Sequence, residues 1–217
     1  MDLSELAELR QEYTYAGLDV ADLAPDPVAQ FRRWFAAWHE VAVGDPNAMV
    51  VTTAALDGRP SVRTVLLRAL DDDGFVFFTN HDSRKGRELA ANPHAALLFP
   101  WHPLGRQVIV EGEASPLPAD ASDAYWASRP RGSQIAALAS PQSQVVADRT
   151  VLDDRWAALE AELAGRDVAR PPHWGGIRVR HERVEFWQGR ERRLHDRLVY
   201  RCDPAAASAW RIERLAP

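Results

Sequence analysis

The sequence predicts a mainly β protein with peripheral helices, of the α+β class, arranged as a closed or partly split antiparallel barrel. Two observations carry this expectation. Strand-like segments follow one another through tight turns such as Asp57-Gly58 and Asp73-Gly74. Helical segments interrupt that series, but without the regular alternation a doubly wound parallel sheet requires. At 217 residues the chain suits one well-packed domain, since two independent ones would each be small. Residues 1–217 are read as that single domain, with 1–25 as a loosely attached N-terminal arm.

Asp2 with Glu5 forms a capping box for a short helix through about Tyr13, and Gly17 and Pro25 then mark irregular chain. Asp26-Pro27 starts a helix whose Val28, Phe31, Trp34, Phe35, Trp38 and Val41 recur at three- and four-residue steps until Gly44. Met49 to Ala54 and Ser61 to Arg68 read as a hairpin, and Phe75 to Thr79 as a third strand. Asp82-Ser83 caps a helix running to Asn92-Pro93. Strands follow at Ala95 to Pro100 and Gln107 to Leu117, then a helix over Pro118 to Ser128 and another starting at Ser133. Asp148 to Gly165 is an amphipathic helix that buries Leu152, Trp156, Leu159 and Leu163. After Pro171-Pro172 and Gly175-Gly176, three strands close the chain: Ile177 to Trp187, Leu194 to Cys202 and Ala209 to Leu215.

Composition excludes several functions. A formal net charge of −5 argues against a nucleic-acid binder with a broad basic face. No apolar run reaches the ~18 residues of a membrane span. The single cysteine, Cys202, rules out an internal disulfide, and the Met-Asp-Leu-Ser-Glu start lacks the basic and apolar regions of a signal peptide, so a cytoplasmic location is expected. Neither a Gly-rich dinucleotide loop nor a Walker loop occurs. The histidines have no metal-ligand spacing, so no metal is expected. His195 and Asp196, adjacent on a strand, would point to opposite faces, which is wrong for a catalytic triad.

Positive charge therefore matters where it is clustered. Arg190, Arg192, Arg193 and Arg197 crowd beside Trp187 and His195, which suits either a solvated turn or a bound anionic aromatic ligand. Arg63 and Arg68 lie five apart on one expected strand, hence on opposite faces, as two solvated cations or as ligands of two different anions. Ser83, Arg84 and Lys85 combine a hydroxyl, helix N-terminal amides and two cations in a phosphate-like cradle, or form a solvated first turn. Tyr125, Arg129 and Ser133 are spaced four apart, on one face if a helix continues through Pro130.

Together with Phe78-Thr79-Asn80, Leu98-Phe99-Pro100-Trp101-His102, Ser128-Arg129-Pro130, Ser140-Pro141-Gln142-Ser143, His173-Trp174-Gly175-Gly176 and Arg193-Leu194-His195-Asp196-Arg197, these form an ordered series. In it, from Arg10 to Pro217, the chain resembles the pyridoxamine 5′-phosphate oxidase family of flavin mononucleotide (FMN) enzymes. The resemblance implies a split antiparallel β-barrel of the FMN-binding type, a homodimer with FMN at its interface, and no nucleic-acid or membrane partner. It implies oxidation of pyridoxamine or pyridoxine 5′-phosphate to pyridoxal 5′-phosphate, with O2 reduced to hydrogen peroxide. Cofactor contacts implied by it are Arg63, Thr64, Val65, Leu66, Leu67, Arg68, Phe78, Thr79, Arg84, Lys85, Gln107, Gln142, Ser143, Trp187 and Arg197. Substrate contacts implied are Arg10, Tyr13, Arg68, Tyr125, Arg129, Ser133, Arg193, Leu194 and His195, with Arg193 and His195 as the catalytic pair and Arg10 to Tyr13 as a lid. Arg68 departs from the family, which commonly has lysine there, and Phe78 stands where tyrosine is frequent. Two other readings share these anchors: a flavin oxidase of another ring compound, such as a phenazine precursor, and a non-catalytic flavin or pyridoxal-phosphate carrier.

Overall fold

The computed structural model describes residues 13–206 and 209–217. The expected helix from Asp2, and Arg10 with it, lie outside the described residues. Nine strands are described: β1 Ala48–Ala54, β2 Pro60–Leu66, β3 Ala69–Asp71, β4 Gly74–Asn80, β5 His94–Trp101, β6 Arg106–Pro116, β7 Trp174–Gln188, β8 Asp196–Cys202 and β9 Trp210–Leu215. Five α-helices accompany them among the described residues: α1 Pro27–His39, α2 Arg84–Ala91, α3 Ala119–Ser128, α4 Arg131–Ala139 and α5 Thr150–Glu162.

The strand order is β2-β1-β5-β6-β7-β4-β3, with β8 on β7 and β9 on β8. With 15 residues, β7 pairs antiparallel with β4 over its first half, from Trp174 opposite Asn80 to Val179 opposite Phe75, and with β8 over its second, from Arg183 to Gln188. The chain forms two compact units, one of Met1–Val50, Leu97–Glu111 and His181–Pro217, the other of Val51–Ala96 and Gly112–Arg180.

In the first unit, α1 starts where Asp26 Oδ1 accepts the Ala29 N–H at 2.8 Å and Pro27 supplies a preset φ. Its apolar face lays Phe31 edge-on to Phe99 at 4.8 Å and Trp34 edge-on to Phe186 at 5.1 Å. Phe31 is 1 % exposed, so Phe31→Ala would cost about 3–5 kcal/mol. Residues of the expected loose arm are tied here: Leu18 is buried, its N–H donates to Asp196 Oδ2 at 3.0 Å, and the Tyr15 hydroxyl donates to Pro103 O at 3.1 Å.

In the second unit, the β1–β2 hairpin turns at Gly58, whose φ of 82° suits glycine, with its N–H donating to Ala55 O at 2.9 Å. Trp126, Ile135, Val168 and Trp174 form a core under α3 and α4. Three expectations are corrected here. β2 ends at Leu66, before Arg68, because the chain turns into the short β3, which sequence did not signal. The helix ends at Ser128 as expected, where Pro130 holds Arg129 extended at φ −74°, ψ 144°, but α4 starts at Arg131 rather than Ser133. The apolar stripe of α5 is only partly buried in this chain: Leu159 and Leu163 pack against that core and Leu152 is half-buried, but Trp156 is 38 % exposed.

Candidate functional site

The second unit gathers most of the expected anion ligands. A cleft of about 250 Å³ is lined by Arg63, Thr64, Val65, Leu66 and Arg68 from β2 and its exit, Phe78 and Thr79 from β4, Lys85 from α2, Tyr125 and Arg129 at the end of α3, and Gln142. Sequence alternation puts Arg63 and Arg68 on opposite faces. They line one cleft instead, since the strand stops between them and the two-residue alternation stops with it.

Lys85 carries the strongest chemical signal. It is 9 % exposed, and its Nζ donates to Gln142 Oε1 at 2.8 Å, Thr79 Oγ1 at 3.1 Å and Ser83 Oγ at 3.4 Å. All three acceptors are neutral. Burial, with the charge of Arg63 adding to it, lowers its pKa to about 8. The expected cradle is therefore rearranged. Ser83 Oγ caps α2 by accepting the Gly86 N–H at 3.3 Å, and Arg84 turns to Glu88 at 2.8 Å.

Arg63 is anchored from behind. Its Nη1 donates to Thr53 Oγ1 at 2.8 Å and Val51 O at 3.2 Å, its Nη2 donates to Ser61 Oγ, and Glu88 Oε2 lies 3.6 Å away. Those bonds leave Nε–H for a ligand. Burial lowers the Arg63 pKa, with Glu88 acting against it. Burial alone would raise the Glu88 carboxyl, but hydrogen bonds from Ser61, Thr53 and Arg84 outweigh it and hold the pKa at about 2. Glu88, Thr53 and Ser61 were missed from sequence; the only signal was the Arg84–Glu88 spacing of four.

Arg129 Nη2 donates to Ser133 O at 2.9 Å, so Ser133 meets Arg129 through its backbone rather than on a shared helix face. Its guanidinium lies 4.6 Å from the Trp174 ring centre. Burial lowers its pKa; the Tyr125 hydroxyl opposes that shift and Arg68 adds to it. Neither Arg129 nor Arg68 has a carboxylate partner among the described residues, so two guanidiniums repel across one cleft. Leu67 is buried and does not line this cleft, and Ser143 is exposed in the left-handed region at φ 70° beside Gln142.

The remaining expected residues belong to the first unit. Tyr13 stands edge-on to Trp187 at 5.8 Å and to His195 at 5.5 Å, and Gly189 makes room, since a Cβ there would fall 2.5 Å from the Tyr13 ring. The Arg190 N–H donates to His195 Nδ1 at 3.1 Å, so the neutral imidazole carries its proton on Nε2. Burial, then the charge of Arg193, lowers the His195 pKa, against the pull of Asp196. Arg192 and Arg193 are both left-handed, at φ 57° and 59°, and Arg193 and Leu194 are exposed. Such backbone costs about 1–3 kcal/mol per residue and clusters at functional sites. Arg197 forks onto Glu185 at 2.7 and 3.0 Å, and Gln107 sits half-buried near the start of β6. Asp196 Oδ1 accepts from Arg214 at 2.6 Å while Oδ2 takes the Leu18 N–H, a clasp sequence did not reveal.

Among the described residues, no group of three His, Cys, Asp or Glu side chains is placed to hold a metal, and no helix is long and apolar enough to cross a membrane.

The family profile described as pyridoxamine 5′-phosphate oxidase matches residues 37–161, and that of the pyridoxine 5′-phosphate oxidase C-terminal dimerisation region matches residues 174–217. The chain is 54 % identical to a pyridoxine/pyridoxamine 5′-phosphate oxidase of Burkholderia vietnamiensis, over 99 % of this chain and 100 % of that one. It is 56 % identical to the protein of that name from a Nocardioides species, over 98 % of each. Among solved structures, PhzG of Burkholderia lata, in complex with tetrahydrophenazine-1-carboxylic acid, aligns with TM-score 0.86 at 33 % identity, covering 95 % of this chain and 100 % of that one. An FMN-binding protein of Nostoc punctiforme related to pyridoxamine 5′-phosphate oxidase shares the fold with TM-score 0.69 at 15 % identity, over 90 % of this chain and 100 % of that one. These likenesses make the fold the split β-barrel of FMN-binding proteins. By both profiles and by full-length identity, the chain belongs to the pyridoxamine 5′-phosphate oxidase family.

Proposed function

We propose that this chain is a cytoplasmic, FMN-dependent oxidase of pyridoxamine and pyridoxine 5′-phosphate that works as a homodimer. Full-length identity to enzymes of that name supports the reaction, and the matched dimerisation region supports the dimer; FMN at its interface is what family membership implies. The observation that carries the reading is the uncompensated positive charge of one cleft, where Lys85, Arg68 and Arg129 meet no carboxylate among the described residues. A phosphorylated cofactor fits the Lys85 end, because a desolvated ammonium held only by neutral oxygens gains most from an anion.

Lys85, the free Nε–H of Arg63, Gln142 and Ser143 hold the cofactor phosphate region, with Arg84 near the α2 N-terminus. Thr64 to Leu67, Phe78, Thr79, Gln107, Trp187 and Arg197 take the remaining cofactor contacts that family membership implies. Arg68 and Arg129 take the substrate phosphate, each charged hydrogen bond contributing about 1.5–3 kcal/mol, with Tyr125 and Ser133 beside them. Arg10, Tyr13 and Leu194 keep their family-implied substrate contacts. His195 offers Nε2–H as a donor, and Arg193 a cation, to the reacting face; with Nδ1 taken by Arg190, the ring is set up to orient rather than to abstract a proton. Bound FMN supplies the two-electron acceptor. Overall, pyridoxine 5′-phosphate and O2 give pyridoxal 5′-phosphate and H2O2; the amine also consumes water and releases ammonia.

The test is spectroscopic. The purified protein should be yellow, bleach with pyridoxamine 5′-phosphate without air, and release peroxide on aeration. Colour without bleaching would instead mark a flavin carrier. Bleaching by a dihydrophenazine carboxylate, but by neither vitamer phosphate, would move the chain to the chemistry of its structural neighbour.

A further inference from the structure

His173-Trp174-Gly175-Gly176 opens β7 and contributes no ligand assigned above. Trp174 is 4 % exposed, and its ring is parallel to Tyr125 within 3° at 6.1 Å and to Phe78 within 18° at 5.5 Å. Phe78 and Tyr125 stack at 3.7 Å. Gly176 leaves room for this slab: a Cβ there would lie 2.5 Å from Leu117 Cδ1 and 3.1 Å from Phe78 Cε1. Trp126, edge-on to Trp174 at 4.8 Å, donates to Val168 O at 2.6 Å and is locked in turn.

Arg129 rests on this slab. Its guanidinium carbon lies 4.6 Å from the Trp174 centroid and 5.6 Å from that of Trp126, and its buried Nε has no hydrogen-bond partner among the described residues. With no carboxylate to orient it, the ring face, the Ser133 carbonyl and the Tyr125 hydroxyl hold the cation. A guanidinium held by a π-face spends no N–H on that contact, so with Nε buried and one Nη2 N–H on Ser133 O its remaining Nη donors are left for a phosphate.

We infer that Trp174 is a positioning residue: it fixes the Arg129 guanidinium against the substrate phosphate and thereby sets the preference for phosphorylated over unphosphorylated pyridine alcohols and amines. This rests on the assignment of Arg129 to the substrate phosphate made above. Tryptophan has the strongest ring quadrupole of the three aromatic side chains, so phenylalanine at this position keeps a flat hydrophobic ring but weakens the hold.

The experiment compares holoenzyme of the wild type, Trp174→Phe, Trp174→Tyr and Arg129→Ala with pyridoxine 5′-phosphate and pyridoxine, and measures pyridoxal 5′-phosphate binding by equilibrium dialysis. Trp174→Phe should raise KM for the phosphorylated alcohol, and Kd for pyridoxal 5′-phosphate, by about 5- to 10-fold. It should change kcat less than about twofold. KM for pyridoxine and the bound flavin should stay as in the wild type. Equal losses for both alcohols would show a packing role only, and no change in KM or Kd would show no role; either overturns the inference. Trp174→Tyr carries the same comparison if the phenylalanine variant does not fold. If Arg129→Ala keeps the wild-type preference for the phosphorylated alcohol, the assignment of Arg129 fails and the inference falls with it, whatever Trp174 does.

Discussion

Lys85 and Gln142, 57 residues apart in sequence, meet through a 2.8 Å hydrogen bond from Nζ to Oε1, and no carboxylate completes the lysine's shell among the described residues. The folded lysine has a pKa of about 8 against an ordinary 10.5, so between these values the unfolded chain binds more protons. Flavin-free protein should therefore gain stability as pH rises through that window, relative to Lys85→Met. FMN affinity should move the other way, level from about pH 7, where the phosphate is a dianion, to about pH 8, and falling above it as the ammonium is lost. Lys85→Met should lower FMN affinity about 10- to 100-fold and leave riboflavin affinity nearly unchanged, by fluorescence titration of stripped protein. Equal losses for both flavins would remove Lys85 from the phosphate.

Glu88 is buried among Thr53, Ser61, Arg63 and Arg84. Glu88→Ala should destabilise the protein by about 3–5 kcal/mol in urea unfolding, because two hydroxyls and a half-buried guanidinium lose their common acceptor. Its pKa of about 2 lies below the ordinary 4.5, so the contribution is complete above 4.5 and is lost as pH falls toward 2. The difference between wild type and Glu88→Gln should shrink over that range, and a constant difference would contradict the assignment.

His195 accepts from the Arg190 N–H, and its pKa is lowered from 6.5 by burial and by Arg193. Protonation of Nδ1 breaks that bond, so kcat/KM should be level through neutrality and fall only on the acid side of 6.5. A nitrogen-15 spectrum at neutral pH should show a neutral ring protonated at Nε2. An Nδ1–H ring would reverse the donor role given to this residue.

Asp196 joins Leu18, Arg190 and Arg214 with a side chain only 16 % exposed. Asp196→Ala should cost about 1–3 kcal/mol and release the amides near Leu18 to rapid hydrogen exchange. Unchanged protection there would mean that Tyr15 and the burial of Leu18 suffice.

Much of this was legible in the sequence where local physics decides the outcome. Asp26-Pro27 and Ser83 start helices because capping needs only neighbours, and Asp57-Gly58 turns because only glycine is comfortable at φ 82°. Arg63, Arg68 and Lys85 were visible as candidate anion ligands for the same reason. Their grouping was not. Whether Arg63 and Arg68 share a face depends on the strand stopping at Leu66, and the burial of Lys85 depends on Gln142 folding back from beyond α4. The apolar stripe of α5 was read correctly as a pattern, and Leu159 and Leu163 do pack on the core, but Trp156 stays exposed because periodicity does not say how far a face is covered. Glu88 was missed, and Trp174 was visible only as part of a motif without a role, because what they touch is other side chains far off in sequence.

The paired positive φ values at Arg192 and Arg193 have a practical consequence for mutagenesis. Alanine carries the same torsional penalty as arginine, so Arg193→Ala removes the guanidinium while leaving the loop's conformational preference as it was. Glycine would relax the loop while deleting the charge, and a valine or isoleucine would unseat the main chain itself. At this corner of the protein, the choice of replacement decides whether an assay reads chemistry or geometry.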